Sequence, residues 1–179
     1  MRALPVGAQI APIFGMLARD YDGDGDLDAL LVGNSYASET QAGWNDASIG
    51  GVLVGDGRGQ FGFVNGAASG FFVDGDARSI ADVMLDETRS LVLVTQHRDS
   101  LRVFAPSRSV SERKLRVEPL DAYVVLTRAD GTTRRQELYY GSTYLSQSSR
   151  YVSVPAGVVK AVVFDSRGQS RTILGSATR

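Results

Sequence analysis

The chain has no cysteine and a single histidine. That excludes a disulfide framework and a zinc–thiolate centre. It also leaves the soft and borderline metals without the thiolate or imidazole ligands they prefer. It does not fix the compartment, because many exported proteins also lack cysteine. No excess of one charge is present: 19 Lys+Arg face 20 Asp+Glu, for a formal net charge of -1. Nothing therefore points to nucleic acid or an anionic membrane as partner. No apolar run approaches the roughly 20 residues of a membrane-spanning helix. Pro5, Gly7, Gln9 and Pro12 break up the first residues, so they do not read as a signal peptide. Sustained helical spacing is missing as well.

The most informative feature present is Asp20-Tyr21-Asp22-Gly23-Asp24-Gly25-Asp26-Leu27-Asp28. Five carboxylates this close repel one another unless a cation sits among them. Hard oxygen ligands suit Ca²⁺, which takes six to eight oxygens in a flexible geometry. Asp20, Asp22, Asp24 and Asp28 are expected to ligate through side chains. Asp26 is expected to offer its carbonyl and turn its carboxylate to water, while Gly25 permits the sharp bend. An EF-hand would need glutamate at the twelfth position, but Leu31 stands there, inside a strand-like run. The loop is thus expected to feed a β-strand. A solvated acidic turn is the bland alternative.

With 179 residues, 43% of them hydrophobic, the chain can form one domain or two small ones. Its apolar runs are short. Ala29–Val32, Gly51–Val54, Leu91–Val94 and Leu101–Phe104 are separated by turn-rich stretches, an all-β pattern. Ala18–Asn34, moved along by 62 positions, overlays Ile80–Gln96 without a gap. Asp20 then falls on Asp82, but Asp22 falls on Met84 and Asp28 on Ser90. The second copy keeps the strand and loses ligands, so no ion is expected there. Several strands per repeat point to propeller blades or a related array.

The texture changes after Phe104. Residues 1–106 read as about two β-repeats, 107–112 as a linker and 113–179 as a second, sandwich-like β-domain. In the latter, Ala122–Thr127 should pair with Arg134–Tyr140 across Ala129-Asp130-Gly131-Thr132, and Val158–Phe164 with Ser170–Leu174 across Ser166-Arg167-Gly168.

Gly55-Asp56-Gly57-Arg58-Gly59-Gln60-Phe61 could pass for a phosphate loop. Such loops need a helix behind them, and Phe61–Val64 reads as a strand, so a hairpin turn is expected. His97 lacks a recognisable nucleophile in a catalytic setting and reads as structural or surface. Tyr36, Trp44, Tyr139, Tyr140 and Tyr144 are candidates for stacking on carbohydrate, against ordinary packing roles; Trp44 lies in a polar loop.

The loop Asp20–Asp28 followed by Ala29–Gly33 resembles the FG-GAP/VCBS repeat, the blade motif of integrin-α-like propellers. The stretches around Glu39-Thr40-Gln41, Asn45–Gly50 and Gly55–Phe61 look like blades of large bacterial VCBS proteins. Gly141-Ser142-Thr143-Tyr144-Leu145-Ser146-Gln147-Ser148-Ser149 resembles the ASPIC/UnbV domain that follows such propellers. The resemblance implies an all-β protein, extracellular or on the cell surface. It also implies structural Ca²⁺ on Asp20, Asp22, Asp24, Asp26 and Asp28, and a non-catalytic role in binding a protein or glycan. Two blades cannot close a ring, so a longer parent chain carrying further blades is expected, with an incomplete gene product or a compact sheet assembly that closes no ring as the alternatives. An accessory region of a glycan-processing enzyme and a purely structural spacer are the alternatives.

Overall fold

In a computed structural model of the protein, residues 2–39, 41–106 and 112–175 are described. Four strands form the first sheet: β1 (Ile13–Arg19), β2 (Asp28–Gly33), β3 (Gly51–Gly55) and β4 (Phe61–Asn65). They are antiparallel and neighbour one another in chain order. A short helix, α1 (Gly66–Ser69), follows, capped by the Asn65 side chain, which accepts from the Ala68 amide. The second sheet is β5 (Ala77–Met84), β6 (Ser90–Gln96) and β7 (Arg102–Phe104), again in chain order.

Six strands make up the C-terminal part: β8 (Arg113–Arg116), β9 (Asp121–Arg128), β10 (Thr133–Glu137), β11 (Tyr151–Val154), β12 (Val158–Asp165) and β13 (Ser170–Leu174). One sheet has the order β10-β9-β12-β13, and β8 pairs with β11. The all-β reading therefore holds, with every strand pair antiparallel. Among the described residues the sheets close neither a barrel nor a propeller ring. No helix among them is long and apolar enough to cross a membrane.

The cores follow the sequence pattern. β2 reads Asp-Ala-Leu-Leu-Val-Gly and is buried at every position, as an unbroken apolar run in a central strand should be. Leu30 and Val32 join Leu17, Ile80, Val92 and Val94 in one cluster, which also takes in Phe71 and Val73. Ala29 and Leu31 face the other way, onto Ala8 and Leu53. A separate cluster of Val124, Leu126, Leu138, Val152, Val154, Ala161 and Val163 fills the C-terminal part.

One expectation needs correction, and two further features of the sequence gain detail from the structure. The strand expected over Arg134–Tyr140 stops at Glu137. The ladder ends just beyond it: the Leu138 amide still donates to the Ala122 carbonyl (2.8 Å), while the Leu138 carbonyl accepts from the Arg150 side chain (3.1 Å). The expected linker lies largely outside the described residues, but its last residue, Glu112, is buried at 5% exposure. The gap-free repeat also conceals a slip. In the first hairpin Ala18 faces Ala29, so a copied register would set Ile80 opposite Leu91. Ile80 instead faces Val94, and β5 runs on to Met84 before a tight turn.

Candidate functional site

The aspartate loop connects β1 to β2, and its own side chains hold its shape. Asp20 accepts the Gly23 and Gly25 amides at 2.7 and 2.9 Å. Asp28 accepts the Tyr21 amide with one oxygen (2.8 Å) and the Gly55 amide, from β3, with the other (2.9 Å). Asp22 accepts from the Asp24 amide, and Asp24 in turn from the Asp26 amide. Gly25 sits at φ 95, a conformation side-chain-bearing residues rarely adopt.

Of the five expected ligands, three come together. Asp20, Asp22 and Asp28 each offer a carboxylate oxygen, all within 4.8 Å of one another. Asp20 and Asp28 are buried and Asp22 is exposed. Burial raises the Asp20 carboxyl above its ordinary value, against the lowering effect of the two amides it accepts. Asp24 and Asp26 are not in this group. Asp26 was expected to point its carboxylate to water, but that carboxylate lies where a Cβ at Gly57 would collide with it, against the β3–β4 turn. Two cations from the C-terminal part stand nearby. Arg128 donates to the Gly25 carbonyl at 3.1 Å, and Arg134 feels the charges of Asp20 and Asp26. Two guanidiniums do not balance five carboxylates. The donor set, all hard oxygen, could hold a divalent cation.

The second copy is arranged differently. Asp82 lies within β5 opposite Val92, not in a loop. It accepts Arg19 at 2.7 Å and also the Tyr151 hydroxyl. The Arg19 guanidinium further reaches Glu112 (2.6 Å) and Ser90 (2.8 Å). Burial and the neighbouring Asp82 push the Tyr151 hydroxyl well above its ordinary value. This network joins β1, β5 and β6 to the C-terminal part.

The string Gly141–Ser149 turns out to seal a sheet edge. Thr143 and Ser146 donate to the Ile80 carbonyl. The amides of Asp82 and Met84 donate to the hydroxyls of Ser148 and Ser149 at 2.9 and 3.1 Å, and the Ser149 amide donates to the Asp82 carbonyl. Exposed strand edges invite pairing with other chains; here hydroxyls occupy the outer side of β5.

The candidate aromatics do not form one platform. Tyr36 and Trp44 stack, with centroids 4.5 Å apart. Tyr144 tilts against Phe14, Arg150 lies over the Tyr140 ring, and Tyr139 is exposed. Tyr36 and Trp44 border a cleft of about 630 Å³ that His97 also lines. Asp74, Asp76, Asp99 and Arg102 line it too. Sequence reasoning missed these four, because they come from segments far apart in the chain; the only local signal was Trp44 in a polar loop. Compared with protein-family models and with curated proteins, the chain matches none.

Proposed function

We propose that the chain is a calcium-binding, non-catalytic β-repeat module of a secreted or cell-surface protein, presenting loops to a protein or glycan. The convergence of the Asp20, Asp22 and Asp28 carboxylates carries this reading. Like charges at that separation favour either protonation or a bridging cation. An oxygen-only set without cysteine or histidine suits Ca²⁺. Asp20, Asp22 and Asp28 would hold the ion, with Asp24 and the Asp26 carbonyl as the further ligands named from the sequence. The ion would neutralise charge and brace the turn into β2; it would take no part in a reaction. Such sites bind at about 10⁻⁴–10⁻³ M, which fits a compartment with millimolar calcium.

The four-stranded meander β1–β4 is consistent with one FG-GAP/VCBS-type blade and β5–β7 with a second, shorter one, in a longer parent chain. A structural reading stands beside the binding one. The hydroxyl seal on β5 supports an ASPIC/UnbV-like domain that caps the last blade.

Titration calorimetry with CaCl₂ tests the metal reading. One ion should bind, and Asp22→Asn together with Asp28→Asn should abolish binding. Absence of heat in the unaltered protein, with melting unchanged between CaCl₂ and EDTA, would refute it.

A further inference from the structure

We infer that the cleft bordered by Tyr36 and Trp44 binds a neutral saccharide; this deepens the binding reading above and rests on it. The cleft lies at the far end of β2 from the aspartate loop. Asn34, just past that strand and fully buried, organises it from a left-handed conformation, φ 78. Its amide nitrogen donates to the carbonyls of Ser48 (2.8 Å), Asp74 (3.3 Å) and Gly75 (3.2 Å), and its oxygen accepts the Ser48 amide. One side chain thus ties the Asp74–Gly75 wall to the segment that follows Trp44.

Three observations identify the ligand class. The first is the aromatic pair. Trp44 is 65% exposed although it stacks on Tyr36, so indole surface remains open to a ligand. An aromatic face with polar groups around it suits a pyranose, which has an apolar C–H face and a rim of hydroxyls.

The second is a pair of buried polar atoms without partners. Asp76 is 1% exposed. One of its oxygens accepts Arg78 (2.8 Å) and the Tyr36 amide (3.3 Å), while the other, Oδ1, has no partner. The Nε of Arg102, whose Nη2 donates to Asp74 at 3.3 Å, is also buried and unpartnered. Both residues line this cleft. A buried polar atom left unpaired is costly. Both atoms are closed to solvent, so a sugar hydroxyl pairs with them as the side chains turn toward it, donating to Oδ1 and accepting from Nε.

The third is charge. The carboxylates of Asp74, Asp76 and Asp99 are matched by the guanidiniums of Arg98 and Arg102 in the lining and of Arg78 on Asp76. With Asp46 also close enough to raise the Tyr36 hydroxyl, a slight excess of carboxylates disfavours a phosphate or a sulfated sugar. The volume falls in the range of small-ligand sites.

Trp44 is the sole tryptophan, so its emission reports on this cleft. The full chain is titrated with neutral disaccharides of glucose, galactose, mannose, xylose and N-acetylglucosamine. Glucuronic acid, glucosamine and adenosine serve as charged and planar controls. At least one neutral sugar should give a saturable change in emission. Arg102→Met, which removes the orphan donor, should weaken it at least tenfold, and Trp44→Ala should remove the calorimetric heat of the same sugar, both with the far-ultraviolet circular dichroism of the unaltered protein. No response to any neutral sugar, or an equal or stronger response to the controls, would overturn the assignment. Calcium dependence of melting is measured on the same sample. A calcium shift without sugar binding would sink only this inference; sugar binding without a calcium shift would sink only the metal reading.

Discussion

Replacing Arg19 with methionine should uncouple the two halves of the protein. The Arg19 side chain is 11% exposed, and its partners Asp82 and Glu112 are 8% and 1% exposed. Methionine keeps most of the apolar stem and removes the charge. Two buried carboxylates would then face each other with Lys114 as the nearest cation, 4.0 Å from Glu112 and itself held mainly by the Thr88 carbonyl. Breaking a buried pair by deleting one partner costs about 3–5 kcal/mol, because the remaining charge is left uncompensated. Lys114 relieves Glu112 in part, so the lower end, about 3 kcal/mol, is expected. For a chain of this size that lowers the melting temperature by about 6–12 °C.

Urea unfolding followed at two wavelengths is the assay. Trp44 emission reports the N-terminal sheets, and far-ultraviolet circular dichroism reports all strands. The two transitions should coincide in the unaltered protein and separate in Arg19→Met. Adding Glu112→Gln to Arg19→Met should restore part of the loss, a coupling characteristic of residues in one network. A loss below about 1 kcal/mol, the range of exposed pairs, would refute the argument, as would failure of Glu112→Gln to compensate.

Calcium at about 1 mM should stabilise the fold by about 0.5–1.5 kcal/mol, seen as a rise of about 1–6 °C over EDTA, and Asp28→Asn should erase the difference. Ser148→Ala and Ser149→Ala each strip the acceptor from a β5 amide and should cost about 1–3 kcal/mol in urea unfolding; costs near zero would show that the edge is sealed otherwise. Acid should destabilise the protein through its turn aspartates. Accepted N–H groups hold Asp56 and Asp86 below the ordinary value of 3.8, and the Thr132 hydroxyl and amide do the same for Asp130. The unfolded chain therefore binds more protons, so this stabilisation is present above that value and fades as pH falls through it. Melting temperature should drop between about pH 4 and about pH 2, with a shallower drop in Asp86→Ser; an unchanged slope in that variant would contradict this origin.

Strands and turns were legible because they are local. Runs such as Leu91–Val94 and turns such as Ala129–Thr132 carry their own periodicity and turn chemistry. The aspartate loop was legible for the same reason: its side chains fold back on amides two to seven residues away. The cleft was not. Tyr36 follows β2, Asp74 and Asp76 precede β5, and Asp99 and Arg102 lie between β6 and β7 or at its start. No spacing in one segment reveals a site that Asn34 assembles from distant segments. Glu112 failed for a related reason. Beside Ser-rich neighbours it reads as solvated, and Arg19, 93 positions away, is the main partner that makes its burial tolerable, with Lys114 in support.

The repeat shows how a faithful overlay of letters can still mislead about chemistry. Asp20 and Asp82 align, and the strands after them align. Yet the second turn spans only Leu85–Arg89 where the first spans Asp20–Leu27. The residues saved go into β5, so the register slips from Leu91 to Val94 opposite Ile80. That slip carries Asp82 out of the loop and into the strand, away from any companion aspartates. A carboxylate there, 6% exposed, needs a fixed donor, and Arg19 and Tyr151 supply it. The position that in one hairpin contributes to a candidate ion site thus anchors the C-terminal strands in the other. One change of turn length accounts for both outcomes.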